Sequence, residues 1–202
     1  ECLWSYKEGK YYDINVHYLF HGDDLMVVSN NDTALRDAFL RIMRDEQQLR
    51  IRDEGRIEKF LGMRIRREMD GSYTMDQQHY IEKMAELFLI DSNTKSVEQP
   101  GVFGQHLTLD MLPKTEREKV EAAKLPMQQL VGGLIYVNMT RPGVAYAIRD
   151  VARFMSHWGI EHFKRALLIL KYLYSTRHRK LRFSRTNTPF KLSGYVDANY
   201  AD

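Results

Sequence analysis

Cysteine is almost absent. Cys2 is the single one among 202 residues, which excludes an internal disulfide and a cysteine-built zinc site and fits a reducing intracellular setting. Long apolar runs are missing too. No stretch reaches the eighteen or so residues of a membrane-spanning helix, and the run 166–170 is cut by Lys171. No secretory leader pattern, internal repeat or low-complexity segment is present. Strong net charge is also lacking: 30 Lys and Arg against 27 Asp and Glu leave +3, too little to identify a partner. The chain opens at Glu1 rather than methionine, so a fragment or processed piece of a longer protein is expected. These absences together point to an intracellular, cytoplasmic protein with no membrane partner.

What is present is a pair of adjacent carboxylates. Asp23 and Asp24 follow Tyr18-Leu19-Phe20-His21-Gly22 and precede Leu25-Met26-Val27-Val28. Both flanks are apolar and rich in strand formers, so the pair is expected on a tight turn between two buried strands. Two carboxylates held side by side repel unless a cation sits beside them, and a divalent metal is the usual answer. Carboxylate-held metal is how phosphoryl-transfer enzymes align a hydroxyl with a phosphate. Gly-Asp is also ordinary turn chemistry, since aspartate caps nearby backbone N–H groups.

The charge that is there is unevenly spread. Residues 160–185 carry eight cations (Lys164, Arg165, Lys171, Arg177, Arg179, Lys180, Arg182, Arg185) against one acid, Glu161. His162, Phe163, Tyr172, Tyr174 and Phe183 are interleaved with them. Such a segment suits a phosphate backbone, or equally a solvated helix face whose aromatics pack inward.

Periodicity predicts an α+β chain. Residues 3–6, 14–20 and 25–29 read as strands, with a turn at 7–10. Asn31 and Asp32 suit the N-cap of a helix carrying Leu35, Ala38, Phe39, Ile42 and Met43 on one face. Residues 60–65 alternate like one strand, followed by a turn at Asp70-Gly71 and a second strand at 72–75. After Asp76 the period lengthens to about 3.6. One helix is expected around Tyr80, Ile81, Met84, Leu87 and Phe88, and three more over 127–139, 144–155 and 161–175. A poorly patterned connection separates them over 91–121. Strand character returns at 181–183 and 190–196.

Several of these segments together resemble the reverse transcriptase of copia-type LTR retrotransposons. That family's Tyr-Val-Asp-Asp turn matches His21-Gly22-Asp23-Asp24, and its Asp-Leu-Gly…Tyr-Phe-Leu-Gly stretch matches Asp53-Glu54-Gly55 and Lys59-Phe60-Leu61-Gly62. Leu130-Val131-Gly132-Gly133-Leu134-Ile135-Tyr136, Thr140-Arg141-Pro142, Tyr146-Ala147, Phe154-Met155, Glu161-His162-Phe163, Lys171-Tyr172-Leu173 and Thr176 continue the match in order. Gly194-Tyr195-Val196-Asp197-Ala198-Asn199-Tyr200 resembles the opening strand of the RNase H domain that follows.

The resemblance implies the C-terminal part of a polymerase palm with a primer-grip hairpin over 1–75. A helical thumb and connection would follow over 76–185, and an RNase H-like domain would begin over 186–202. It implies that Asp23 and Asp24 are catalytic metal ligands, Asp23 the more direct one, for Mg²⁺ or its substitute Mn²⁺. Phe60, Leu61 and Gly62 would position the primer end. Lys164, Arg165, Lys171, Arg177 and Arg179 would hold an RNA template in an RNA–DNA or DNA primer–template duplex by its backbone. Asp197 would be an RNase H metal ligand, dNTP would be bound in the intact enzyme, and the location would be a cytoplasmic virus-like particle.

This chain departs from the pattern at His21-Gly22, where glycine is expected to loosen the turn. The remaining palm carboxylate would lie upstream of Glu1, so the piece alone is expected to be inactive. The alternative is a non-catalytic retrotransposon remnant that at most binds duplex nucleic acid.

Overall fold

A computed structural model describes residues 3–5, 16–29, 34–46, 48, 50–102, 104–185 and 194. The expected turn at 7–10, the N-cap at Asn31 and Asp32, the strand at 190–196 apart from Gly194, and Asp197 lie outside them. The described residues form two antiparallel sheets and a group of helices. The first sheet has the order β1 (Leu3–Ser5), β2 (Val16–His21), β3 (Asp24–Ser29). Helix α1 (Ala34–Arg41) follows and continues into a short π-helix, Ile42–Glu46. Phe39 of α1 stacks on Tyr18 of β2, with ring centroids 4.8 Å apart. The flanks of the Asp-Asp turn are less buried than their composition suggests, since Phe20, Val27 and Val28 are exposed at 37, 39 and 50%. Apolar residues on both faces of a strand mark burial only when both faces find a partner, and among the described residues part of this sheet does not.

The second sheet has the order β4 (Lys59–Phe60), β5 (Met63–Arg67), β6 (Tyr73–Asp76), β7 (Leu181–Phe183). The alternation over 60–65 predicts a single strand there. Instead a two-residue loop, Leu61-Gly62, folds β4 back on β5. Both loop residues have positive φ, 49° and 76°, as a type I′ hairpin turn requires. Leucine is an unusual occupant of that conformation, which for a non-glycine residue costs about 1–2 kcal/mol.

Helices α2 (Gln78–Leu87), α4 (Met127–Val137), α5 (Ala145–Ala152) and α6 (Ile160–Ser175) fall where the 3.6-residue period places them. Their apolar stripes make one core that includes Ile81, Met84, Leu130, Leu134, Val151 and Leu170. Gly133 permits a close approach within it. It is buried, and a Cβ there would run into Met84 Sδ, whereas Gly132 on the exposed side has open space. Helix α3 (Glu116–Ala123) lies partly inside the stretch expected to be unpatterned. A Thr115–Glu118 capping box starts it, and Trp158 Nε1 donates to Ala122 O at 2.8 Å.

Two bonded links tie β4–β6 to the helices. Tyr136 of α4 donates its hydroxyl to Leu61 O at 2.5 Å. Gln77, between β6 and α2, donates to Tyr136 O and accepts from Thr140 Oγ1 at 2.7 Å. Strand β7, arriving shortly after α6, completes the sheet by pairing with β6.

Candidate functional site

The β2–β3 hairpin sets the carboxylate pair. His21 pairs with Asp24, which leaves only Gly22 and Asp23 in the loop. Asp23 is therefore the turn residue and Asp24 the first residue of β3, and both are exposed. Gly22 has φ +61° with open space around it. A positive φ at the first loop position is where glycine is unstrained and a β-branched residue is not. Gly22 therefore suits this turn rather than loosening it, contrary to the sequence expectation.

Among the described residues, no group of three or more His, Cys, Asp or Glu side chains is placed to hold a metal. Among the described residues the tip offers two carboxylates. That fits Mg²⁺, which commonly takes one or two protein carboxylates and completes its shell with water and substrate phosphates.

Phe60, Leu61 and Gly62 lie at the β4–β5 turn, and their close backbone approach is to a side chain of this chain. A Cβ on Gly62 would collide with Tyr136 Oη. Phe60 is buried at 9% exposure, so the turn presents Leu61 and not the aromatic ring.

The basic residues of the α6 region divide by partner. Lys164 pairs with Glu161 at 2.7 Å, and Arg177 with Glu82 at 3.2 Å while also donating to Tyr174 O. Their charges are spent locally. Arg165 donates to Gln105 and Arg179 to the Tyr172 hydroxyl at 3.2 Å, both neutral acceptors. The Lys171 side chain has neither a hydrogen bond nor an ion pair among the described residues. Among the described residues, then, no carboxylate pairs with Arg165, Lys171 or Arg179. The interleaved aromatics mostly pack inward, and Phe183 is the one left well exposed, at 52%.

Two buried cationic or ionisable groups turn out to be structural. Arg141, 8% exposed, donates to Thr176 O and Thr176 Oγ1 at 3.0 and 2.7 Å. It caps the carbonyl end of α6, where a cation complements the helix dipole. Burial, the largest influence, pushes its pKa below the usual guanidinium value, with nearby Arg179 adding to this and Tyr172 opposing it. His162 is fully buried beside Phe154, and its Nδ1 accepts from Gly159 N–H at 3.0 Å at the start of α6. Nε2 therefore carries the proton, near the Thr108 backbone but without good hydrogen-bond geometry. Burial pushes His162 below the ordinary imidazole range, against smaller raising effects from Thr108, Asp150 and Glu161.

Sequence reasoning missed Tyr136 and Arg141 as anchors, because nothing local marks a tyrosine or arginine whose partner lies 75 or 35 residues away. The cleft between Leu109, Leu112, Arg153, Phe154 and His157 measures about 270 Å³, at the lower edge of ordinary ligand sites.

Relatives cover nearly the whole chain. It is 32% identical over 186 residues to the retrovirus-related Pol polyprotein from transposon TNT 1-94 of Nicotiana tabacum, a match over 91% of this chain. The chain is homologous to one segment of retrotransposon Pol polyproteins. It is also 26% identical, over 98% of its length, to a putative transposon Ty5-1 protein of Saccharomyces cerevisiae. Against the Pol polyprotein from transposon RE1 of Arabidopsis thaliana it is 24% identical over 92%. The segment spans 14%, 63% and 12% of these three relatives, respectively. No family model and no solved structure matches it. Among the described residues no helix is long and apolar enough to cross a membrane.

Proposed function

We propose that this Pol segment is part of an RNA-directed DNA polymerase. In this reading residues 1–75 are the later palm with its primer-contacting hairpin, 76–185 the thumb and connection, and 186–202 the start of an RNase H-like domain. The observation that carries it is the β2–β3 tip. A two-residue turn with glycine at its positive-φ position presents Asp23 and Asp24 to solvent, in a chain related to Pol polyproteins over nearly all its length.

Asp23 and Asp24 hold Mg²⁺, or Mn²⁺ in its place, together with a carboxylate from elsewhere in the polyprotein. The bound metal supplies activation of the primer 3′-hydroxyl and neutralisation of the dNTP triphosphate. The chain's own residues orient the duplex. Leu61, held in its left-handed conformation by the Tyr136 bond to its carbonyl, meets the primer end at a fixed height above α4. Strain retained in a turn that is latched from outside accords with a positioning role. Arg165, Lys171 and Arg179, which no carboxylate pairs with among the described residues, contact backbone phosphates. Asp197 serves as an RNase H metal ligand in the complete protein.

Binding of an RNA–DNA hybrid to the chain tests the phosphate assignment. Lys171→Ala and Arg179→Ala are expected to weaken it uniformly across sequences and to lower the salt slope by about 1 each. Binding that is insensitive to salt and to both substitutions would remove the basis of the duplex assignment.

A further inference from the structure

The four-stranded sheet carries an exposed aromatic row that the helices do not use. Arg67 of β5 lies directly opposite Tyr73 of β6, and Tyr73 directly opposite Phe183 of β7. Directly opposed residues of an antiparallel sheet share a face, so the three side chains form one row about 10 Å long across adjacent strands. Two residues along the same face, Ile65, Met75 and Leu181 make the next row, which is buried or half-buried. The outer row opens to water, with Tyr73 at 42% and Phe183 at 52% exposure.

The surroundings are cationic. The β5–β6 turn carries two acids, and both are already engaged, Asp70 by Arg182 and Glu68 by Lys180 at 3.8 Å. The side chains of Arg67 and its neighbour Arg66 have neither hydrogen bond nor ion pair among the described residues. Arg185 lies over the turn, its Cδ 3.3 Å from where a Cβ on Gly71 would stand. Five cations (Arg66, Arg67, Lys180, Arg182, Arg185) thus stand against two acids (Glu68, Asp70). Flat rings in an uncompensated positive field suit a ligand with π-faces and phosphates more than an apolar protein surface. Aromatics on neighbouring strands of a four-stranded antiparallel sheet are also a general way of stacking splayed bases.

We propose that Tyr73 and Phe183 form a stacking platform for unpaired bases of a single-stranded nucleic acid, with Arg67 and Arg185 on the flanking phosphates. This rests on the reading that the chain handles nucleic acid, and adds a single-strand site to the duplex-binding helices. Because β7 is the next element after α6, the platform stands just beyond the carbonyl end of that helix.

The test measures fluorescence anisotropy of a labelled oligo(dT) and of a labelled blunt RNA–DNA hybrid, each titrated with the 202-residue chain. Tyr73→Ala is expected to weaken oligo(dT) binding about 5- to 150-fold, the range of a single stacked base, and to leave the hybrid within about twofold. Tyr73→Phe keeps the ring and is expected to keep the affinity. Arg67→Ala is expected to lower the oligo(dT) salt slope by about 0.7. Oligo(dT) affinity unchanged in Tyr73→Ala, or lowered equally for both ligands, overturns the platform. A parent chain that binds the hybrid but not oligo(dT) overturns the platform and leaves the duplex reading standing. A parent that binds neither overturns both.

Discussion

Gly62 and Tyr136 make a contact whose energetics can be separated by a double-mutant cycle. Gly62→Ala forces alanine into a φ of +76°, which costs about 1–2 kcal/mol. The new Cβ also collides with Tyr136 Oη, so the ring must move and its bond to Leu61 O is lost. That loss adds about 1 kcal/mol, for a total of about 2–3 kcal/mol. Tyr136→Phe alone removes the same hydrogen bond and costs about 1 kcal/mol. With the hydroxyl gone in the Tyr136→Phe background, the ring atom nearest the new Cβ is Cζ at 3.5 Å, an ordinary contact. Alanine there costs only its backbone strain, so the double variant should lose about 2–3 kcal/mol and not the additive sum of about 3–4. Urea denaturation followed by the helical circular dichroism signal reads all four corners of the cycle. A coupling of about 1 kcal/mol is expected. Additivity within about 0.3–0.5 kcal/mol would refute the claim that the turn leans on Tyr136.

Other outcomes follow from the same contacts. Gly133→Ala should destabilise by about 1–3 kcal/mol through overpacking against Met84, while Gly132→Ala, with open space, should stabilise by about 0.5–1 kcal/mol; thermal melts of the two separate these signs. Leu61→Asn, which tolerates the left-handed turn position and precedes Gly62, should raise the urea midpoint by an amount equivalent to about 0.5–1 kcal/mol. His162 is held below the ordinary imidazole value by burial. The unfolded chain therefore takes up this proton first, and the stabilisation from His162 is complete above about pH 6.5. It should drain away as pH falls from there through the lower folded value. Stability that stays flat over that interval, or a slope that survives in His162→Gln, would contradict the assignment.

Much of the architecture was legible because local signals and tertiary demand agree. The apolar residues of α2, α4, α5 and α6 recur at helical spacing and face one core, so their existence could be read without knowing their partners. The β2–β3 hairpin could be read as well, since Gly22-Asp23 supplies turn chemistry between two strand-forming runs. Helix α3 escaped notice because Val120, Ala122 and Ala123 are too few to give a stripe; the capping box at Thr115 and Glu118 was the available cue. The Leu61-Gly62 turn was hidden for the opposite reason. Its leading residue is a leucine with no turn propensity, kept there by a tyrosine 75 residues further on.

The candidate site was legible in part. Residue types flagged Asp23 and Asp24, and the geometry adds that they stand exposed on a two-residue turn. The basic segment was flagged as a block, whereas its charges divide residue by residue according to whether Glu161 or Glu82 is in reach. A charge count cannot see such pairings, because they depend on which helices meet. The exposed row of Tyr73 and Phe183 was invisible for the same reason. Strands β6 and β7 are separated by the whole helical region, and only their pairing brings the two rings together.

The central claim is tested most directly by primer extension on an RNA template with a complete polyprotein carrying Asp23→Asn. The substitution keeps the size and turn preference of the residue and removes only its charge. Extension lost while hybrid binding persists is the predicted result, because the metal then lacks a ligand that the duplex does not need. Extension at the parental rate would show that Asp23 holds no catalytic metal, and the polymerase assignment of the β2–β3 tip would fall.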